Sequence, residues 1–221
     1  MTSSVVSMPS PQQVEEGKLA RRAFVSPALP SILGMYAFAA ATFLVAAHMA
    51  HWFGNAQTGI VLFPLVLIFG GLAQFYAAAW AFRTNDAVSL ALHGTWGSFW
   101  TAYGLLEFLY ATGRVVRPQG AFPALGFWFI AAAAITWAIM VAARKNVGVT
   151  ALLTFLAVGS TLEAIAELAG LEWMRILGGY FLIASALIAW AVASALMARF
   201  GRVEKVPAGT SVAPSESARV A

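Results

Sequence analysis

Four ionisable side chains of this sequence sit inside otherwise apolar stretches: His93, Glu107, Glu163 and Glu167. An ionised carboxylate at the centre of a bilayer costs about 2.5 to 3.5 kcal/mol on insertion scales, so such groups face protein, water or a solute pathway. Read at helical period, Leu156, Ser160, Glu163 and Glu167 fall within about 60° of one another, and His93, Trp96, Trp100, Tyr103 and Glu107 within about 80°. Two separate segments thus carry a polar and aromatic stripe each. The spacing predicts that both stripes line one interior, where Glu107, Glu163, Glu167 and His93 are the proton-sensing candidates. The competing reading is packing for the aromatics, and snorkelling or pairing with Arg117 or Arg175 for Glu107 and Glu167. It is weaker for Glu163, which lies more than a turn from its helix end. His48 and His51, near the end of the first apolar run, read as interfacial.

Other chemistry finds little support. No His-Glu-x-x-His spacing suggests a metal, and Ser98 and Ser160 have no nearby base to make them nucleophiles. The absence of cysteine removes disulfides, thiolate catalysis and Cys-ligated metals. The chain therefore reads as a non-enzyme, with no cofactor and no metal.

The elements that must position these residues follow from composition. Of 221 residues, 61% are hydrophobic and 10% charged, and the mean hydropathy is +0.79, which excludes an ordinary soluble domain. Six apolar runs cover residues 31–53, 59–82, 87–110, 122–143, 149–168 and 174–200, each near the roughly 20 residues that a helix needs to cross a bilayer. The expectation is an all-α integral membrane protein of six transmembrane helices. The polar stretches 1–30 and 201–221 are expected to be flexible tails around a transmembrane domain of residues 31–200. The first run reads as an uncleaved span rather than a signal peptide. The net charge of +4 does not form a nucleic-acid patch, because its basic residues lie in tails and short loops. Placing alternate loops on one side puts ten of the 13 Lys and Arg with the two termini, leaving Arg114, Arg117 and Arg175 opposite. That bias predicts cytoplasmic termini. The pairs Gly70-Gly71 and Gly178-Gly179, and Gly94-x-x-Gly97, read as sites of close helix contact rather than phosphate loops.

Gly70-Gly71-Leu72-Ala73-Gln74, then Phe82-Arg83, then Trp96-Gly97-Ser98-Phe99-Trp100 resemble the blocks of the acetate uptake transporter family, with its bacterial succinate-acetate permeases and fungal acetate permeases. The resemblance covers about residues 26 to 200. It implies a hexamer in the inner or plasma membrane, with a central pore in each protomer, and a channel or proton-linked carrier for small carboxylates. The family's first-helix motif, Asn-Pro-Ala-Pro-Leu-Gly, is matched in part by Pro30, Leu33 and Gly34, with Leu29 in place of the Asn and Ile32 in place of the second Pro, or in a competing register by Ser26-Pro27-Ala28 with a three-residue insertion before Gly34; the Asn is missing in both. Ala81 stands where the family commonly has Glu. The family's Phe, Tyr and Leu constriction corresponds to Phe38, Trp96 and Leu156, so that the Tyr has become Trp. Counted from the cytoplasmic helix ends, these three lie about 10, 14 and 10 Å deep, close enough to one plane to meet. Such a ring can gate by dewetting.

The combined reading is uptake of short monocarboxylates, acetate first and succinate second, with Pro30, Gly34, Gln74, Trp100 and Tyr103 along the pathway. The partners are the substrate, protons, lipid and further copies of the chain, with no nucleic acid. Glu107, Glu163 and Glu167 would form an acidic outer vestibule whose protonation lifts the barrier to an anion. The alternatives are a channel for ammonia or a urea-like solute, which an acidic vestibule also suits, and a membrane sensor subunit that does not conduct.

Overall fold

The computed structural model describes residues 10, 12, 28–55 and 57–203, and within these the secondary structure is helical, with no strand. The tails expected at 1–30 and 201–221 fall largely outside the described residues. Helix α1 spans Ala28–Met49. Helix α2, Thr58–Arg83, includes Pro64 and then runs as π-helix from Val66–Ala73. Helices α3 to α6 are Ala87–Ala111, Pro123–Ala142, Val147–Ala169 and Glu172–Val203.

Local chemistry sets the boundaries. Asp86 caps α3 by accepting from Ser89 N at 3.0 Å, and Asn146 caps α5 by accepting from Val149 N at 3.2 Å. Caps of this kind contribute about 1 kcal/mol each. Pro123 opens α4, where a missing N–H leaves no bond unmade. Gly170 ends α5 with φ of 66°, a conformation that favours glycine.

Successive helices pack side by side, and α6 returns along α1 to close the ring. The seam between α3 and α4 is the loosest, and a groove of about 440 Å³ runs along it. The core is built from small residues on α1 (Ala37, Ala39, Ala41, Ala46) and larger ones on α3 and α5 (Trp96, Phe99, Leu152, Leu156). Ile60, Phe69, Phe127, Val141 and Leu187 project outward, as residues facing lipid do. Most of the expected glycine contacts are close: a Cβ on Gly179 would lie 3.0 Å from the Ala46 carbonyl oxygen, one on Gly70 2.5 Å from Trp100 Cγ and one on Gly97 3.3 Å from Gln74 Cβ, whereas one on Gly94 would meet only Ala78 Cβ at 4.0 Å.

Five helices are long and apolar enough to cross a membrane by length and composition, and α3 is not among them. Its 25 residues are ample. What dilutes its apolarity is the stripe of His93, Trp96, Trp100, Tyr103 and Glu107, all of which are buried inside the bundle rather than turned to lipid.

Candidate functional site

The three expected constriction residues all lie in the centre of the bundle. Phe38 on α1 meets Trp96 on α3 edge to face, with ring centroids 6.1 Å apart, and Leu156 on α5 belongs to the same apolar cluster. None of the three is more than 1% exposed. The indole is held in place because Trp96 Nε1–H donates to Thr136 Oγ1 at 3.1 Å, and that hydroxyl donates to the Ala132 carbonyl at 2.7 Å. Phe99, Trp100 and Tyr103 continue the aromatic cluster toward the α1 C-terminal end, with Phe99 and Tyr103 stacked at 6.1 Å.

A cavity opens at each end. That near the α1 C-terminus is about 260 Å³ and is lined by Tyr103, Glu107, Arg117, Glu167, Glu172 and Arg175, with His48 and His51 at its edge. The other, about 360 Å³, is lined by Ser31, Met35, Ser89, Leu92, Lys145 and Val149. Between them lie the buried side chains of Phe38, Trp96 and Leu156.

The first cavity differs from the acidic vestibule that the sequence suggested. Glu107 is ion-paired with Arg117, whose guanidinium also lies 4.4 Å from the Tyr110 ring centroid. Arg175 bridges Glu167 at 3.0 Å and Glu172 at 2.5 Å, and Glu172 reaches His51 Nε2 at 2.8 Å. Three carboxylates against two guanidiniums leave one formal negative charge, so this mouth is nearly balanced. Partial burial opposes the charge on Arg117, but the hydrogen bond and attraction of Glu107 outweigh it and raise its pKa. The roles of Glu172 and His51 were missed in the sequence, although the Glu172 to Arg175 spacing of one helical turn was a usable signal.

Deeper in, polar groups lack partners among the described residues. Both carboxylate oxygens of Glu163 make no hydrogen bond, and Oε1 packs on Gly178 of α6, where a Cβ would lie 2.5 Å away. The carboxyl therefore sits at the α5–α6 contact and is not part of the cavity wall. Trp100 Nε1 and Thr42 Oγ1 are likewise buried without partners. Thr42 was overlooked, although Gly34, Phe38 and Thr42 follow at four-residue steps on one face of α1. His93 and Gln74 are wholly buried and lie beside each other, Nδ1 to Oε1, at 3.3 Å. Gly34 abuts the His93 ring, and Pro30 falls in the first turn of α1. Among the described residues no three His, Asp or Glu side chains form a group that could hold a metal ion.

This is the architecture of a multi-pass α-helical membrane protein with two cavities and a buried aromatic and leucine cluster in the bundle centre. The chain belongs to the GPR1/FUN34/yaaH family, whose signature matches residues 14–203. It is similar to the succinate-acetate/proton symporter SatP of Escherichia coli (strain K12), 28% identical over 82% of this chain and 95% of that protein. It is also similar to the ammonia transport outward proteins 3 and 2 of Saccharomyces cerevisiae, at 25% and 27% identity over 80% and 73% of this chain. The match spans only 65% and 58% of the length of those two yeast relatives. Among solved structures, the bacterial acetate channel SatP superposes with a TM-score of 0.69 at 21% identity, covering 78% of this chain and 94% of that one, and so shares its fold.

Proposed function

We propose that this protein carries short monocarboxylates, acetate first, across a membrane through the route shut at Phe38, Trp96 and Leu156, and that it is not an enzyme. The observation that carries the reading is the buried plug between two cavities in a chain similar to an acetate symporter. In this reading α3 is the sixth span, its polar face shielded from lipid by its neighbours, and both termini are cytoplasmic in an inner or plasma membrane. Residues 31–200 form the transport domain of a homo-oligomer, a hexamer by family resemblance. Gln74, Trp100 and Tyr103 line the route near the plug, Gly34 and Pro30 belong to its cytoplasmic half, and Glu107, Glu163, Glu167 and His93 are its ionisable groups.

The test is uptake of labelled acetate into proteoliposomes with and without an inward proton gradient. Gradient-stimulated uptake above empty liposomes is expected from a proton-linked carrier, and uptake indifferent to the gradient indicates a channel. A second reading, passage of ammonia, is favoured by the two yeast relatives and by the residual negative charge of the outer mouth. Ammonia flux without acetate flux in the same vesicles would replace the first reading with the second. Flux of neither would leave a sensor subunit.

A further inference from the structure

The π-helical turns of α2 bear on the chemistry of His93. Within them the Gly70 carbonyl receives Gln74 Nε2–H at 2.9 Å. A carbonyl can only accept, so the amide is fixed with its NH₂ at Gly70 and its oxygen turned the other way, 3.3 Å from His93 Nδ1. That amide oxygen also only accepts, so Nδ1 carries the ring proton. The opposite nitrogen, Nε2, is left as a bare lone pair. It has no partner among the described residues, and the ring lies against the backbone of Gly34 on α1, where even a Cβ would overlap it. A second proton on Nε2 would find no acceptor there. Nor do the other neighbours supply a donor: the Trp96 indole N–H, one turn outward, is engaged with Thr136, and Gln74 faces Nδ1.

A buried acceptor without a donor is unfavourable for folding alone, since losing hydration without a replacement bond is costly. It is explained by a guest that brings the hydrogen. The geometry points to His93 Nε2 as the hydrogen-bond acceptor for the passing solute, selecting a small form that carries a polar hydrogen, the O–H of a short carboxylic acid or the N–H of ammonia, over a bare carboxylate. Carboxylate oxygens only accept and meet a lone pair with repulsion. This inference rests on the transport reading above and names the form of solute that crosses. For the site to fill, α1 must part from α3 at Gly34. The same separation draws Phe38, one turn along α1, away from Trp96.

Two measurements test it. Nitrogen-15 NMR of the histidine rings, with the His93 signals assigned by their absence in His93→Gln, is expected to show a proton on Nδ1 and a bare Nε2 whose resonance moves on addition of acetic acid or ammonia. A proton on Nε2, or a bare resonance that neither solute moves, would overturn the inference. In proteoliposomes, His93→Phe keeps a flat ring and removes the acceptor, whereas His93→Gln can reach the same place with an amide oxygen. Flux of acetic acid or ammonia is expected to fall about tenfold in the Phe variant and to recover for the most part in the Gln variant. A fall for one solute alone identifies that solute as the guest. Wild-type flux of both solutes in a folded Phe variant sinks the role of His93 while leaving the transport reading intact. If the wild type conducts neither solute and yet its Nε2 resonance shifts, transport fails and the acceptor site stands.

Discussion

At the mouth near the α1 C-terminus every lining carboxylate has a guanidinium within hydrogen-bonding distance, whereas deeper in the bundle Glu163 and His93 Nε2 have no partner among the described residues. The mouth is near water on one side: His51 and Glu172 are both well exposed, and an exposed pair is worth about 0 to 1 kcal/mol, whereas Arg117 is 54% exposed over a Glu107 side chain that is 3% exposed. The deep groups are fully enclosed and rest on glycine, and each unpartnered buried polar atom costs about 1 to 3 kcal/mol. Charges at the mouth are therefore matched to one another, and polar atoms in the depth are kept at the expense of stability. The comparison teaches that the acidic residues most visible in sequence have different surroundings: Glu107 and Glu167 are paired with guanidiniums, and Glu163 has no partner among the described residues.

Trp96 divides the two regions, and its removal is expected to have the largest effect. Trp96→Ala should cost about 3 to 5 kcal/mol, partly by leaving Thr136 without its indole donor, and should raise the ratio of succinate to acetate flux. A ratio unchanged in vesicles would make Trp96 a packing residue. Next comes Gly34→Ala, which drives a methyl group into the His93 ring and should cost about 1 to 3 kcal/mol together with most acetate uptake. Gly94→Ala, whose nearest neighbour is Ala78 Cβ at 4.0 Å, is the control and should stay within about 0.5 kcal/mol. Equal melting temperatures for these two variants in detergent would mean that α1 and α3 are not locked at His93.

At the mouth, Arg117→Gln leaves the almost enclosed Glu107 carboxylate without its partner and should cost about 1 to 2 kcal/mol, most of it recovered by adding Glu107→Gln. A double variant no better than the single one would dissolve the contrast between mouth and depth. Glu163→Gln is expected to stabilise the fold, by up to about 1 kcal/mol, because a neutral amide is cheaper to enclose than an unpartnered carboxylate. The same change fixes a neutral side chain and should flatten the pH dependence of acetate uptake. A wild-type pH profile in that variant would assign Glu163 to the α5–α6 contact alone.

Much of the architecture was legible because apolar runs of membrane length leave few choices. The family resemblance set Phe38 beside Trp96, helix depth allowed the two to meet in one plane, and the structure sets their rings edge to face with centroids 6.1 Å apart. Depth does not report helix rotation, however. Glu163 shares a stripe with Leu156 and Ser160, yet its carboxyl turns to Gly178 on α6, because the missing side chain there opens room that no single-helix pattern reveals. The outer vestibule looked acidic because Arg117 and Arg175 lie in loop and helix-end positions remote in sequence from Glu107 and Glu167. The pairing of Gln74 with His93 joins two helices and passes through the π turns, which a 3.6-residue reading of α2 does not contain.

Those turns give α2 a shift of phase. The faces before Val66 and after Ala73 are aligned with the bundle only because the segment between them is wound differently. In genetic terms α2 contains a site where length and register are uncoupled. A π turn holds one residue more than an α turn, so deleting one residue between Val66 and Ala73 is absorbed by a return to α winding that keeps both halves of α2 in register. The same deletion midway along α5, which is α-helical throughout, has no such slack and rotates everything downstream by about 100°. Single-residue deletions within Val66–Ala73 should accordingly disturb acetate uptake much less than single-residue deletions midway along α5.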